Sequence, residues 1–460
     1  MGIMRLKFLN RKKEIRRLRR AVELEEAVFM VVYGRRRCGK STLLQEIVRS
    51  HDMYYLADRR EASLQIQSLA VEIARQIPGF NEVDYPSWQA LLQTLNVRSK
   101  PGVCLLLDEF PYLVQVSPEL PSLVQKFIDD RNTVINLIIC GSSQRMMQGL
   151  VLDAAAPLYG RATEILKVRP LEPFWIQEAL AVRGIQAVEA YAVWGGVPRY
   201  WELAKDFGDQ EEAIKELILD RDGVLHNEPE RLLLDDMRSA MQAQSLLSLI
   251  ANGCHRLSEL ASRLGKPAGH LTRPLSHLID LGYIRRELPY GESVKSTRRS
   301  LYKLNDPFLM FWYRYVQANR SLLERDLLDE VYAELQKTFS LYVAAVWEDL
   351  ARASTDKLDL AGMKWSPAQR WWGRGRDGKN MEVDIVSESL DGQSILFGEA
   401  KWEMRTNFKR VIDKLNYCAH NFPHTNGRKV VLAYWLKEFD KGVSATEIVL
   451  RPEEVITALR

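Results

Sequence analysis

Continuous apolar runs, rather than alternating ones, set the frame of the first third of the chain. Residues 28–33 are a run of β-branched and aromatic apolar side chains, the pattern of a strand buried on both faces of a parallel sheet, and 103–107 and 134–140 read as two further buried strands. Residues 53–56 and 164–168 read as two shorter strands. Between them the period becomes helical. Asn10 is the expected N-cap of a helix burying Ile15, Leu18, Ala21 and Val22. Leu43, Leu44, Ile47 and Val48 follow the first strand at helical spacing, and a helix over about 62–77 turns Leu64, Leu69, Ile73 and Ile77 inward. Strands alternating with helices predict an α/β fold on a parallel sheet.

From 172 to about 237 the pattern is helical throughout, with a break at residues 227–230. A helix carrying Leu246, Leu247, Leu249 and Ile250 ends at Gly253. Ser258 caps residues 259–264, which Gly265 closes, and a third helix over about 268–281 buries Leu271, Leu275, Leu278 and Ile279. Strands at 283–288 and 300–304 then flank a loop with Lys295, Arg298 and Arg299. That order is the order of a winged helix-turn-helix. The exposed side of the third helix presents His270, Thr272, Arg273, Ser276 and His277, side chains suited to phosphates or base edges. A packing module with no DNA contact is the other reading, and both stay open. Residues 305–316 form an aromatic helix that reads as core. After a polar, acidic stretch, residues 339–350 form an amphipathic helix with Val343, Val346, Trp347 and Leu350 inward and Glu348 at its margin.

The first candidate chemistry lies directly after the first strand. Gly34-Arg35-Arg36-Arg37-Cys38-Gly39-Lys40-Ser41-Thr42 fits G-x-x-x-x-G-K-[ST], between the strand and the helix that this motif requires. Glycines there let successive N–H groups point at one anion, and the helix N-terminus adds its positive end. Lys40 is placed for the β- and γ-phosphates and the Ser41 hydroxyl for Mg²⁺, so ATP and Mg²⁺ are the expected cofactors. The strand at 103–107 ends in Asp108 and Glu109, where ligands bind in open α/β sheets. Asp108 suits the Mg²⁺ shell and Glu109 the polarising of an attacking water. The next strand ends in Gly141-Ser142-Ser143, small polar groups able to orient that water or meet the γ-phosphate. Arg161 is either a cation for transition-state charge, in cis or across a homo-oligomer, or a plain surface arginine.

A second set of acids lies near the C-terminus. Asp391-Gly392 marks a two-residue hairpin turn between residues 381–386 and 394–401. A turn centred there requires paired residue numbers to add to 783, which sets Asp384 opposite Glu399 and Glu382 opposite Lys401. All four then share one face, with Met381, Val383, Ile385, Ala400 and Trp402 on the other. Two opposed carboxylates repel unless a divalent cation sits between them, with Lys401 beside it to orient water or neutralise an oxyanion. A solvent-facing hairpin in which Lys401 balances Glu382 fits the same spacing. Just upstream, residues 371–376 (Trp-Trp-Gly-Arg-Gly-Arg) suit either nucleic-acid backbone contacts or an ordinary strand and turn.

The first half of the chain resembles the archaeal-type P-loop ATPases of the STAND class, on the Phe8…Arg11…Glu14 box, the phosphate loop, the Asp108-Glu109 and Ser142-Ser143 strand ends, and Gly195-Gly196-Val197-Pro198-Arg199-Tyr200. The resemblance implies that Gly196 and Pro198 belong to a helical lid over the nucleotide. Asp384…Glu399-x-Lys401 after Glu348 resembles the PD-(D/E)XK nuclease core, although Val383 stands where that pattern has proline. By that analogy Glu348, Asp384 and Glu399 bind Mg²⁺ and Lys401 is catalytic. The organisation expected is a P-loop ATPase core over 1–170, a helical lid over 171–237, a winged helix over 238–305, a helical connector over 306–335 and a restriction-endonuclease-like α/β domain over 336–460. ATP binding and hydrolysis coupled to DNA binding or Mg²⁺-dependent cleavage is the expected function; the alternative is a switch whose C-terminal domain only binds. A net charge of +4 is too small to argue for a polyanion partner without local clustering. Five widely spaced cysteines read as reduced thiols, no apolar run nears the roughly 20 residues needed to span a bilayer, and no signal-like segment opens the chain. A cytoplasmic protein that uses no membrane is expected.

Overall fold

The computed structural model describes residues 8–237, 239–293, 295, 299–425, 427–438 and 447–460. Arg298 of the basic loop lies outside them. The chain divides into two compact units, one of residues 8–171 with 234–237, the other of 172–233 with the residues from 239 onward.

The first unit is built on a five-stranded sheet of β1 (Phe29–Tyr33), β2 (Met53–Leu56), β3 (Cys104–Asp108), β4 (Asn136–Gly141) and β5 (Glu164–Lys167), in the order β2-β3-β4-β1-β5. Every pairing is parallel. All residues of β1, β3 and β4 are buried, which is why they read as apolar runs, broken only by Asn136, which accepts from the Val28 amide, and by Asp108 at the end of β3. Because β4 lies between β1 and β3, the ends of these three strands sit side by side. The phosphate loop, the acid pair and the serine pair all hang from them.

Three local expectations are corrected. Asn10 does not cap the first helix, Lys12–Val22; Asn10 and Arg11 both have positive φ, and Arg11 holds the N-cap position without a side-chain cap. The backbone turns there because the buried Arg11 guanidinium donates to the carbonyls of Cys38 and Arg169 and pairs with Glu14. In the helix Ala62–Ala74, Leu64 is exposed, and Ile66, Leu69, Ala70 and Ile73 face inward at i, i+3, i+4 and i+7. The helix after the phosphate loop is short, Lys40–Gln45, so Ile47 is buried from beyond its end.

In the second unit, short helices including Gly184–Trp194 and Pro198–Ala204 precede three more, Ala240–Ala251, Leu257–Leu264 and Ala268–Asp280. An antiparallel hairpin follows, of β6 (Ile284–Glu287) and β7 (Leu301–Leu304). The helix Pro307–Tyr315 buries Phe308, Phe311, Trp312 and Tyr313, so its aromatics are core. The amphipathic helix expected over 339–350 runs from Leu328 to Ser354; Val331 and Leu335 extend its buried stripe, and the polar stretch ahead of Phe339 is its exposed side.

The C-terminal sheet holds β8 (Gln369–Arg374), β9 (Asn380–Glu388), β10 (Ser394–Lys401), β11 (Lys429–Leu436) and β12 (Ile448–Leu450), in the order β12-β11-β10-β9-β8. β8, β9 and β10 are antiparallel and β10, β11 and β12 parallel. The helix Phe408–Asn421 makes the crossover to β11 and packs Val411, Leu415 and Cys418 on Phe397, Val383 and Trp371. On the opposite face, Trp347 of the long helix donates to the Trp435 carbonyl at 3.1 Å and stands 5.2 Å from Trp402.

The expected hairpin register holds for four pairs, from Ile395↔Glu388 to Gly398↔Ile385, each adding to 783. It then breaks. Gln369 pairs with Val386 but Trp371 with Val383, so β9 carries one residue too many between them, a β-bulge. The bulge returns Met381 and Val383 to the side of Phe397, the reverse of the simple alternation. Glu382 consequently pairs with Arg370, and Lys401 turns to Glu399.

Candidate functional site

Two groups of functional side chains are assembled, one in each unit. In the first, the phosphate loop leaves β1 at Gly34, whose φ is +151°; a Cβ there would lie 2.2 Å from the Val168 carbonyl oxygen. Only glycine lets β1 run this close to the chain leaving β5. Arg37 and Gly39 also have positive φ, curling the loop so that its amides converge. Lys40 is buried, and its ammonium donates to the Arg35 carbonyl at 3.2 Å, within the loop.

Asp108 is wholly buried. It accepts hydrogen bonds from the Tyr54 hydroxyl at 2.7 Å and the Glu109 amide at 2.9 Å, both neutral donors. The Tyr54 phenol is pushed up by burial, then by the Asp108 charge, with Ser41 near enough to act on it. Ser41 and Asp108, the two expected Mg²⁺ ligands, therefore both lie beside the Tyr54 hydroxyl, which is bonded to Asp108. A buried carboxylate held by neutral donors beside a serine hydroxyl fits a hard divalent cation. Glu109 has φ +55°, and its carboxylate accepts from the Ser142 amide at 3.1 Å and the Ser142 hydroxyl at 2.8 Å. A cavity of about 240 Å³ opens there, lined in part by Arg59, Glu109, Tyr112, Ser142, Arg145 and Asp235. The Ser143 hydroxyl donates to the Asp235 carbonyl, Asp236 accepts from the Gln144 amide, and Asp235 pairs with Arg36 of the loop at 3.4 Å. Arg161 is not drawn toward the loop. It pairs with Asp129 at 2.9 Å and bonds the Tyr159 carbonyl.

The second group sits where β9 bulges. The Asp384 side chain accepts from the Ala400 amide at 3.1 Å, standing in for the ladder bond lost at the bulge. Its carbonyl accepts from Arg352 at 3.0 Å. Glu399 is wholly buried; one carboxylate oxygen meets Lys401 at 2.8 Å and also Lys414, while Oε2 has no partner. Glu348 lies 3.9 Å from Arg352. Its pKa is pushed up to about 7 by burial and then by the Asp384 charge, against Arg352, Lys303 and Arg370. Burial alone would lower Lys401, but Glu399, Asp384 and Glu348 outweigh it and the net shift is upward.

The structure thus gathers Glu348, Asp384, Glu399 and Lys401 within electrostatic reach of one another. It does not close the three acids into a cage. Among the described residues no three His, Cys, Asp or Glu side chains are arranged to hold a metal. An orphaned oxygen on a wholly buried carboxylate still fits an oxygen-seeking cation.

Sequence reasoning missed Tyr54, Arg352 and Lys414. A tyrosine on the strand next to an acid-tipped one is a weak signal for the first. Arg352, one turn after Glu348 on the same helix, is a better signal. Lys414, from the crossover helix, has none. Pro198 opens the helix Pro198–Ala204 in the second unit. All five cysteines are free thiols, and among the described residues no helix is long and apolar enough to cross a membrane.

Comparison with known proteins bears on both groups. Residues 8–203 match a family described as an ATPase domain predominantly from Archaea, and residues 312–411 one described as archaeal and bacterial proteins of unknown function. An uncharacterized protein of Methanocaldococcus jannaschii is 31% identical over 408 residues, 86% of this chain and 88% of that protein. Among solved structures, a Walker-type ATPase of Pyrococcus abyssi matches with a TM-score of 0.52 and 21% identity, over 67% of this chain and 96% of that one.

Proposed function

Because the chain belongs to the archaeal-type ATPase family, whose domain it carries over residues 8–203, we propose that it couples ATP binding and hydrolysis to cleavage of nucleic acid by its C-terminal domain. In the first unit, the amides of residues 34–42 hold the triphosphate and Lys40 neutralises its outer phosphates. Ser41 and Asp108 would hold Mg²⁺, with Tyr54 fixing Asp108. Glu109 orients the water, and its bond to Ser142 must open for it to do so. Gly196 and Pro198 belong to the lid, and Arg161 would have to leave Asp129 to serve as a transition-state cation.

For the second unit, the helix–three-strand–helix–strand order from Leu328 to Leu436 supports the nuclease-like reading. Three helices followed by the β6–β7 hairpin support a winged helix. The observation that carries the proposal is the buried Glu399 with its unpartnered oxygen beside the bulged Asp384. A divalent cation held there supplies Lewis acidity at a phosphodiester. Glu348, Asp384 and Glu399 would be its ligands, and Lys401 would meet the leaving oxyanion.

A second reading has its own support. Lys401 and Lys414 both hold one oxygen of Glu399, and Asp384 is spent in part on the Ala400 amide. That pairing favours a domain that binds nucleic acid without cutting it. Mn²⁺ titration of the full chain, with divalent-dependent nicking of plasmid DNA, separates the two. Cleavage is expected, with Mn²⁺ binding lost in Asp384→Asn and kept in Lys401→Ala, and nicking lost in both. ATP turnover without nicking of any DNA form gives the second reading.

A further inference from the structure

Along the outer face of β8, Arg370, Trp372 and Arg374 follow one another at the strand period of two, about 6.8 Å apart. On β9, Glu382 is paired with Trp372 and Asn380 with Arg374. Arg256, at the N-cap of the helix Leu257–Leu264, and Arg299 and Leu301 of the hairpin line the same groove of about 640 Å³. Four arginines and one carboxylate, Glu382, therefore face a common space. Arg299 is stapled to the strand, donating to the Trp372 carbonyl at 3.0 Å and pairing with Glu292. Arg370 pairs with Glu382 and lies over the Trp372 ring, 5.8 Å from its centre. The Arg256 amide donates to the Glu259 carboxylate at 3.0 Å, but among the described residues neither the Arg256 nor the Arg374 guanidinium forms an ion pair with a carboxylate; both arginines are exposed and Trp372 is half-buried.

This arrangement offers two things at once. Regularly spaced guanidinium groups suit a chain of phosphates, and an aromatic face between them suits a stacked base. A merely acidic peptide would use the charges and leave the ring without a purpose. The groove also has a direction. Arg370 stands at the end nearest the acids, its charge reaching Glu348, and Asp384 follows two residues after Glu382.

We infer that the groove between β8 and the β6–β7 hairpin binds one strand of nucleic acid, phosphates on Arg256, Arg370 and Arg374 and a base against Trp372, and leads it to Asp384 and Glu399. The destination rests on the reading of that acid pair given above; the groove itself does not. The test is fluorescence anisotropy of a labelled oligothymidylate with the full chain in EDTA at several salt concentrations. Wild type binds, with affinity falling as salt rises. Arg256→Gln with Arg374→Gln, both surface changes, lowers the slope of log affinity against log salt by about 1.4, two phosphates at about 0.7 each. Trp372→Ala weakens binding roughly ten-fold and Trp372→Phe restores it. No binding by wild type, or an unchanged slope in the double variant, overturns the inference, as does tighter binding of a blunt duplex through the same arginines. Strand binding that needs these arginines in protein that takes up no Mn²⁺ supports the groove and removes the cleavage reading instead.

Discussion

Replacing Glu348 by glutamine should stabilise the second unit at pH 8 and leave it unchanged near pH 4.5. Burial first, and the Asp384 charge second, move the Glu348 pKa from 4.5 to about 7. The folded state therefore holds this proton more tightly than the unfolded chain does. The stability Glu348 contributes is complete below about 4.5 and is lost as pH rises through 7. A gap of 2.5 units at about 1.36 kcal/mol each sets an upper bound of about 3 kcal/mol, and the side chain's 29% exposure trims it. Glutamine carries no charge to desolvate, so its profile should be flat across that window. Denaturant unfolding followed by tryptophan fluorescence reads the correct unit, because every tryptophan except Trp88 belongs to it. Measured from pH 4.5 to 8, the wild-type and Glu348→Gln curves should separate steadily and stay apart above pH 7. Saturating Mn²⁺ should narrow the gap by favouring the ionised acid. Parallel curves between pH 5 and 8 would refute the argument, placing Glu348 in water rather than beside Asp384.

Two further predictions concern the first unit. Tyr54→Phe removes a donor from the wholly buried Asp108, which should cost about 2 kcal/mol of stability and raise the Mg²⁺ concentration needed for half-maximal ATP turnover; an unchanged Mg²⁺ dependence would remove Tyr54 from the site. Gly34→Ala drives a methyl group into the Val168 carbonyl, and should lower the stability of the first unit by roughly 3 kcal/mol or more and abolish binding of a fluorescent ATP analogue. Normal binding by that variant would mean that β1 and the chain after β5 separate without cost.

What could be read from the sequence was what the chain encodes locally. The phosphate loop is one continuous segment between a strand and a helix, and Asp391-Gly392, within a four-residue loop between Ser389 and Ser394 rather than a two-residue turn, still centres the hairpin register for as long as only neighbours decide it. The reading failed where a distant residue intervenes. Nothing in Val383-Asp384-Ile385 announces a bulge, since the alternation there is clean. The Asp384 carbonyl is instead taken by Arg352, 32 residues away, and its side chain must satisfy the Ala400 amide. Asn10 failed for the same reason. It is a good cap in isolation, but the buried Arg11 must reach Cys38 and Arg169, and that need turns the backbone. The tie between Asp235 and Ser143 spans 92 residues and leaves no periodic trace.

The half-buried charges of the second unit bear on how the hairpin and the acid pair can move. Arg285 of β6 bonds Asp349 at 2.6 Å and Glu287 at 2.8 Å, and Lys303 of β7 holds Glu287 at 3.1 Å. Asp349 also pairs with Arg352, which bonds the Asp384 carbonyl. Burial works against the Asp349 carboxylate, yet Arg285 and Arg352 hold it well below the usual carboxylate range. Arg285 and Asp349 are about one third exposed, so breaking one of these charge-assisted links costs about 1–3 kcal/mol rather than the full cost of a buried ion pair. A nucleotide-driven movement worth less than that cannot slide the hairpin away from the bulge. Such a movement carries the two together, so a strand bound beside Arg299 would keep its register with Asp384.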